Sequence, residues 1–358
     1  MTKSKFAPLL KWSQSNYQQL PWRKNRTMYG TLVSEIMLQQ TTVGTVLNHF
    51  EKFLKRFPTI QSLAKASDEE LAVEWKGLGY YRRARNLKNC AIEISQKFKG
   101  EIPLDRDVLL KIKGIGDYTA DALLAIGANQ KAIAVDANLE RVLARLYAVD
   151  APKGLKLQKT LRELFQQKKI LQEISTKDYR AINEALMDLG RVYCQARKAH
   201  CDLCPMNTHC QAYQLKNPPA FPVHDGTVDK KKSVEHELHL LRLVVKKKDQ
   251  ILVYKKNNKE WLTDQWELPT LVISSTDKTL KQYPILKNKF DFQQDQIVKT
   301  GITKYKITNY IHEESLTLKK LKELGFDREC EFHYIDNKAN FTTTTFKVLK
   351  QLGSKKRK

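Results

Sequence analysis

Apolar residues recur at three- and four-residue spacing early in the chain, as in Leu32, Ile36, Met37, Val43, Val46, Leu47, Phe50 and Phe53. That is the period of a buried helical face. Ser67 with Glu70, just ahead of Leu71, Val73 and Trp75, has the form of a capping box that starts a helix. Two glycine pairs, Gly77 with Gly79 and Gly114 with Gly116, punctuate the pattern. Residues 1–213 are therefore predicted to be helical. After Cys210 the texture changes: Pro218, Pro219, Pro222, Gly226 and Lys230 to Lys232 read as a linker. From Glu235 onward the runs Leu238 to Val245, Ile251 to Tyr254, Leu268 to Ile273, Ile307 to Leu316 and Cys330 to Ile335 predict strands. Leu316 to Leu324 and Thr344 to Leu352 predict helices. The second domain is α+β, about 120 residues long. The expected boundaries are 1–215, a linker 216–233, 234–352 and a basic tail 353–358. No internal repeat at solenoid spacing is visible.

Charge narrows the partner. The chain has 358 residues and a formal net charge of +24. Residues 1–215 carry 34 Lys+Arg against 21 Asp+Glu, and residues 216–358 carry 29 against 18. Both parts are basic, by 13 and 11 charges, so the excess is not one tail on a neutral protein. A polyanion is the expected partner, nucleic acid first among them. A lysine-rich surface serving solubility is the plainer alternative. No run approaches about 20 consecutive apolar residues, so no membrane-spanning helix is expected. Met1 to Leu10 contains no signal-peptide pattern, and a reducing interior compartment is expected. The closing Lys355 to Lys358 reads as a frayed basic end or a nuclear address.

Six cysteines are too few and too clustered for a disulfide scaffold. Cys90 and Cys330 stand apart as free thiols. Cys194, Cys201, Cys204 and Cys210 stand together, with six, two and five residues between them. Four thiolates in a compact run suit zinc or an iron–sulfur cluster. Upstream, Lys111-Ile-Lys-Gly114-Ile-Gly116-Asp-Tyr118-Thr119 places two glycines where a helix opens. Such a turn exposes backbone N–H groups that can hold a phosphate, and it is also an ordinary tight helix–helix turn. Asp136 follows Ala134-Val135 and precedes Asn138 and a helical run, which is the place of an N-cap.

Together these motifs resemble the helix-hairpin-helix DNA glycosylases of the endonuclease III and MutY type. Leu20-Pro-Trp22-Arg23, Ser34-Glu35 through Leu38-Gln39-Gln40-Thr41, Gly77-Leu78-Gly79-Tyr80-Tyr81 with Arg82, Arg83 and Arg85, and Asn183-Glu184 through Gly190 carry the resemblance towards its MutY branch, the adenine DNA glycosylases. It covers residues 18 to 210. It implies an all-α helix-hairpin-helix domain whose four cysteines hold one [4Fe–4S] cluster in the loop 194–210. By the resemblance, the cluster shapes a basic loop in which Arg191, Arg197, Lys198 and His200 point towards phosphates. It also implies base-excision repair of double-stranded DNA in which adenine faces 8-oxoguanine or guanine. The enzyme would be a monomer, at the nucleoid in the cytoplasm.

The same resemblance distributes roles. Glu35 would be the general acid that protonates a flipped adenine, its carboxyl pKa raised by apolar neighbours. Asp136 would stabilise the oxocarbenium-like sugar. Tyr118 and Asn138 would orient the site. Trp22, Arg23, Leu38 and Glu184 would line the adenine pocket. Gln40, Thr41, Leu78, Tyr80, Gly114 and Gly116 would touch the DNA and the opposite base. In the endonuclease III branch a lysine stands where this chain has Tyr118, and tyrosine forms no Schiff base, so excision without β-elimination is expected. The alternatives are a bifunctional oxidised-pyrimidine glycosylase and a non-catalytic DNA-binding iron–sulfur protein.

In the second domain, Trp266-Glu-Leu-Pro269 resembles the Trp-Glu-Phe-Pro element of the MutY Nudix-like domain, which reads 8-oxoguanine. No Nudix pyrophosphatase box is visible. The family's Phe-Ser-His reading loop is best matched by Ile307-Thr308-Asn309. That assignment makes Thr308 and Asn309 opposite-base contacts and predicts weaker discrimination against guanine.

Overall fold

The computed structural model describes residues 4–24, 26–166, 179–197, 199–223, 236–257, 259–292, 296–302, 304–335 and 340–355. It divides into two compact units, Met1–Asp229 and Lys230–Lys358. Of the expected linker, residues 224–233 lie outside the described residues. So do Lys198 and the last three residues of the tail, Lys356, Arg357 and Lys358.

The first unit is helical. Its main helices are α1 (Ala7–Tyr17), α2 (Met28–Leu38), α3 (Arg82–Lys97), α4 (Arg106–Lys111), α5 (Asp117–Ala122), α6 (Ala137–Leu146), α7 (Leu155–Gln166) and α8 (Tyr179–Val192), with shorter turns between them. The capping box at Ser67 is present, with both of its reciprocal hydrogen bonds. Two apolar clusters divide the unit. One gathers Leu32, Ile36, Phe53, Trp75, Leu87 and Leu123 among others. The other joins Phe6 and Leu9 to residues from Ile133 through Met206. Each fully buried large side chain in them is worth about 1.5–3 kcal/mol relative to exposure. The chain passes between the clusters through a π-helical turn, Leu123–Gly127, and an extended stretch that ends at Asp136. Glu35 belongs to the first lobe and Asp136 to the second, so the seam between the lobes is where they meet.

Helix α2 explains itself residue by residue. Thr27 caps it, accepting from the Gly30 N–H at 2.9 Å. Every residue from Tyr29 to Met37 is buried. The hydroxyls of Thr31 and Ser34 donate to backbone carbonyls one turn back, at 3.0 Å each. Tyr29 and Glu35 then find their partners elsewhere, Tyr29 donating its hydroxyl to the Phe57 carbonyl at 2.9 Å. The helix stops at Gln39, because Gln40 turns into the left-handed region with φ 54°.

The second unit holds a four-stranded sheet in the order β5-β1-β7-β6, with β1 (His236–Val244) parallel to β7 (Tyr305–Glu313) and antiparallel to β5 (Thr270–Ser275). The edge strand β6 (Ile297–Ile302) was not among the expected ones. A second sheet pairs β3 (Gln250–Lys255) with β2 (Lys246–Lys247), β4 (Trp266–Glu267) and β8 (Glu331–Tyr334). Helices α9 (Leu318–Glu323) and α10 (Thr343–Lys355) complete the unit, which makes it an α/β domain with sheets. At its centre Glu267 accepts from Arg242 at 2.7 Å and from Lys256 at 2.8 Å, all three buried. Burial pushes the Glu267 carboxyl pKa up, but the two cations overcome it and hold it at about 2.

Candidate active site

Glu35 is 4% exposed, and the Tyr118 hydroxyl from α5 donates to its Oε2. Burial raises its carboxyl pKa to about 7. The bond from Tyr118 works against that rise, the nearby carboxylates of Asp136 and Glu184 add to it, and Arg23 opposes it. Tyr118 is itself pushed well above its ordinary range, by burial first and then by the charges of Glu35 and Asp136. The hydroxyl therefore stays a donor. It occupies one carboxyl oxygen of Glu35 and leaves the other to carry the proton.

Asp136 is the N-cap of α6. Its Oδ1 accepts from the backbone N–H groups of Asn138 at 2.9 Å and Leu139 at 2.7 Å, and its Oδ2 from the Asn138 side chain at 3.1 Å. Burial raises its pKa, and those bonds pull it back. Fully buried Asn183 fixes the extended stretch that leads there: its Oδ1 accepts from the Ala134 N–H at 2.9 Å, and its amide donates to the carbonyls of Ala132 and Tyr179. Asn138 accepts in turn from Arg141, which also donates to the Gly190 carbonyl at 2.9 Å and the Cys194 carbonyl at 2.7 Å.

Beside this pair, α8 presents Glu184 and Asp188. Arg23 donates to Asp188 at 2.8 and 3.3 Å, and Ser13 donates to the same carboxylate at 2.7 Å. Arg26 forms a two-pronged pair with Glu184. A cavity of about 240 Å³ opens here, lined by Ser13, Gln18, Arg23, Arg26, Arg180 and Glu184. Trp22 packs edge-on against Phe50, ring centroids 5.7 Å apart. Leu38 rests against the first apolar cluster.

Residues 33–167 match the family model of the HhH-GPD superfamily base excision DNA repair proteins. The chain is 33% identical over 262 residues to the adenine DNA glycosylase of Buchnera aphidicola subsp. Schizaphis graminum, covering 72% of this chain and 70% of that one. The human adenine DNA glycosylase is 36% identical over 216 residues, which span 58% of this chain and 39% of the human one. Among solved structures, a thermostable thymine-DNA glycosylase matches with a TM-score of 0.50 at 29% identity, over 58% of this chain and 94% of that chain. This chain belongs to the adenine DNA glycosylase family.

In this glycosylase the four clustered cysteines line one cavity with Val142, Arg145, Leu189 and Met206. Arg145 donates to the Cys194 sulfur at 3.4 Å, and the Cys210 thiol donates to the Arg145 carbonyl. Among the described residues no three of His, Cys, Asp or Glu converge as the ligands of a single ion do. The thiols border that cavity beside the Arg145 cation, which suits a thiolate-held group.

The expected DNA-contacting residues separate. Gln40 is exposed, and so is Tyr80, at 63%. Gly114 sits at φ +99°, and a Cβ there would come within 2.8 Å of the Asn86 carbonyl oxygen. A Cβ on Gly116 would meet nothing in the protein. Thr41 is half-buried and accepts from Arg83 at 2.9 Å.

Two expectations are corrected. Leu78 is 4% exposed and belongs to the first apolar cluster, because the turn that presents Tyr80 folds its neighbour inward. Nearby, Arg82 and Arg85 are exposed, whereas Arg83 is 7% exposed, its two terminal nitrogens donating to backbone carbonyls and to the Thr41 hydroxyl. Ile307-Thr308-Asn309 is not a loop but the middle of β7. Asn309 is completely buried, donating to the Val298 carbonyl at 2.7 Å and accepting from Arg242 at 2.6 Å, while half-buried Thr308 pairs across to His239 and Lys299.

Arg26, Asp188, Asn183, Arg141 and Arg83 were missed as site-building residues. All are polar groups in apolar stretches or on helix termini, where a charge is costly unless it is paired. No helix of the described residues is long and apolar enough to cross a membrane.

Proposed function

We propose that this glycosylase releases adenine from double-stranded DNA in which the adenine faces 8-oxoguanine or guanine. The observation that carries the reading is Glu35, buried, held by Tyr118 and still protonated in large part near neutral pH. Its unbonded oxygen donates a proton to the imidazole part of the flipped base, which weakens the bond to the sugar. Positive charge then grows on the sugar. Asp136 faces it with a carboxylate whose ionised form is favoured by three N–H donors. Water completes the hydrolysis. Trp22, Arg23, Leu38 and Glu184 surround the departing base, while the hairpin glycines Gly114 and Gly116 approach a phosphate through bare backbone.

The reaction stops at base release. Tyr118 is no amine, and the polar residues that follow Asp136 at the start of α6 are Asn138, Glu140 and Arg141, none of which forms a Schiff base. We read the second unit as the Nudix-like domain that recognises the opposite base.

We read the four cysteines, which line one cavity, as the holders of the [4Fe–4S] cluster that the family resemblance implies. When bound, the cluster would fix the loop 194–210 structurally. Arg141 would hold that loop against Asn138.

Single-turnover cleavage of a duplex carrying one adenine opposite 8-oxoguanine tests the proposal. Breaks that appear only after hot alkali are expected. Breaks without alkali would assign the protein to the lyase branch, and intact adenine would remove the proposal altogether.

A further inference from the structure

Arg83 is placed against a local rule. It stands in the first turn of α3, where the helix dipole disfavours a positive charge. Its charge does not stay there. The guanidinium crosses to the far end of α2, and Nη1 donates to the carbonyls of Ile36 at 2.9 Å, Met37 at 2.8 Å and Gln39. Those are the carbonyls that a helix C-terminus leaves without intrahelical partners, at the negative end of its dipole. Nη2 donates to the Thr41 hydroxyl at 2.9 Å, the Leu78 carbonyl at 2.9 Å and the Gly79 carbonyl at 3.2 Å. One buried side chain therefore ties three things together: the last turn of the helix bearing Glu35, the Gln39–Thr41 turn, and the Gly77–Tyr80 turn.

Both turns carry an exposed non-glycine residue in the left-handed region, Gln40 at φ 54° and Tyr80 at φ 47°. Each such residue costs of order 1 kcal/mol and persists only where its surroundings over-determine it. Arg83 supplies that determination to both. Its guanidinium also lies 5.7 Å from the Tyr80 ring and 5.5 Å from the Trp75 ring. His49 adds a lesser tie, one ring nitrogen lying 2.9 Å from the Lys76 carbonyl oxygen.

We propose that Arg83 is the positioning residue that locks the two exposed tips, Gln40 and Tyr80, in register with the helix that presents Glu35, so that prising a base out of the duplex and presenting the acid to it are one coupled act. This rests on the adenine-excision reading above. Lysine cannot substitute fully, because a single ammonium cannot span carbonyls on both turns at once.

The test compares wild type with Arg83→Met and Arg83→Lys in single-turnover excision from two duplexes. One carries adenine opposite guanine. The other carries adenine opposite an abasic analogue, which leaves no partner to displace. Fluorescence of 2-aminopurine at the target position reports unstacking separately. Arg83→Met should lose roughly 10- to 100-fold on the paired duplex, the scale of a misplacement of about 1 Å, and far less on the unpaired one. Its unstacking signal should fall in parallel, and Arg83→Lys should recover part of both. The pH profile of excision should not move. Thr41→Val, which removes one anchor and spares the carbonyls, should show the same pattern in smaller measure, and it serves if Arg83→Met does not fold. Equal losses on both duplexes would make Arg83 a mere stabiliser of α2 and overturn the proposal, as would no loss. A wild-type protein that unstacks 2-aminopurine but releases no adenine would overturn the excision reading while leaving the Arg83 effect measurable.

Discussion

Replacing Glu35 by Gln separates activity from stability, and pH separates the causes. Gln keeps the shape and still accepts the Tyr118 hydroxyl, so packing is preserved. It cannot donate a proton as an acid, so excision should fall by about 10²- to 10⁴-fold. Stability should move the other way. The Glu35 pKa is raised from 4.5 to about 7 by burial, so the folded protein binds that proton more tightly than the unfolded chain. Its contribution is fully present below pH 4.5 and is lost as pH rises through about 7. The difference is worth about 3 kcal/mol at 1.36 kcal/mol per pKa unit. Glu35→Gln is blind to this change. Its unfolding midpoint should therefore gain on wild type by roughly 6–12 °C between pH 5 and pH 8. Thermal unfolding of the two proteins at both pH values measures the gain, and every other titrating group cancels in the comparison. Wild-type excision should decline above pH 7 as the acid is lost. A midpoint difference that does not depend on pH would show that Glu35 titrates normally and refute the argument from burial.

Three further outcomes are expected. Asp136→Asn keeps a good N-cap for α6 and should leave the unfolding midpoint nearly unchanged, while single-turnover excision drops about 10²- to 10³-fold with the lost carboxylate. Asn309→Leu removes the acceptor of Arg242 and the donor to Val298, and should destabilise the second unit by about 2–4 kcal/mol in urea unfolding, an effect absent if Asn309 reached solvent or DNA. Cys204→Ala should abolish the yellow-brown absorbance and the iron content expected of a [4Fe–4S] protein, and a colourless wild type containing zinc would replace the cluster assignment.

What could be read in the sequence was whatever depended on local period and local capping. The Ser67–Glu70 box, the buried run of α2, the N-cap at Asp136 and most strands appear where the pattern puts them. Edge strand β6 was missed because Lys299, Thr300 and Gly301 interrupt its alternation. The misplacement of Asn309 had an available signal. Ile307, Asn309 and Ile311 alternate along one strand, and a period of two sends all three to the same buried face. Arg83 had one as well, a cation at a helix N-terminus where only a distant partner could justify it. What no local pattern contains is which carbonyls it would reach, more than forty residues back along the chain. The same holds for Arg26 on Glu184 and Arg23 on Asp188, pairs that exist only because the two lobes close on one another.

The two acids of the site differ by environment and not by residue type. Both are buried enough for desolvation to raise their pKa values. Glu35 meets it with one hydrogen bond, from a hydroxyl, on a buried helix that carries no other charged side chain. Asp136 meets it with three N–H donors at the start of a helix, where the dipole also favours a negative charge. One group is left to hold a proton and the other to hold a charge, which is the division that acid-assisted loss of a base from a sugar requires. Swapping the environments should therefore do more damage than swapping the residues. Glu35→Asp in its apolar helix remains an acid that is merely too short, whereas Asn138→Leu strips Asp136 of a donor, raises its pKa further and turns the intended carboxylate towards a neutral acid. The pH dependence distinguishes the two. Glu35→Asp should lower excision at every pH, while Asn138→Leu should lose most at acid pH and recover part of its activity as Asp136 ionises. Parallel pH profiles for the two variants would contradict this division of labour.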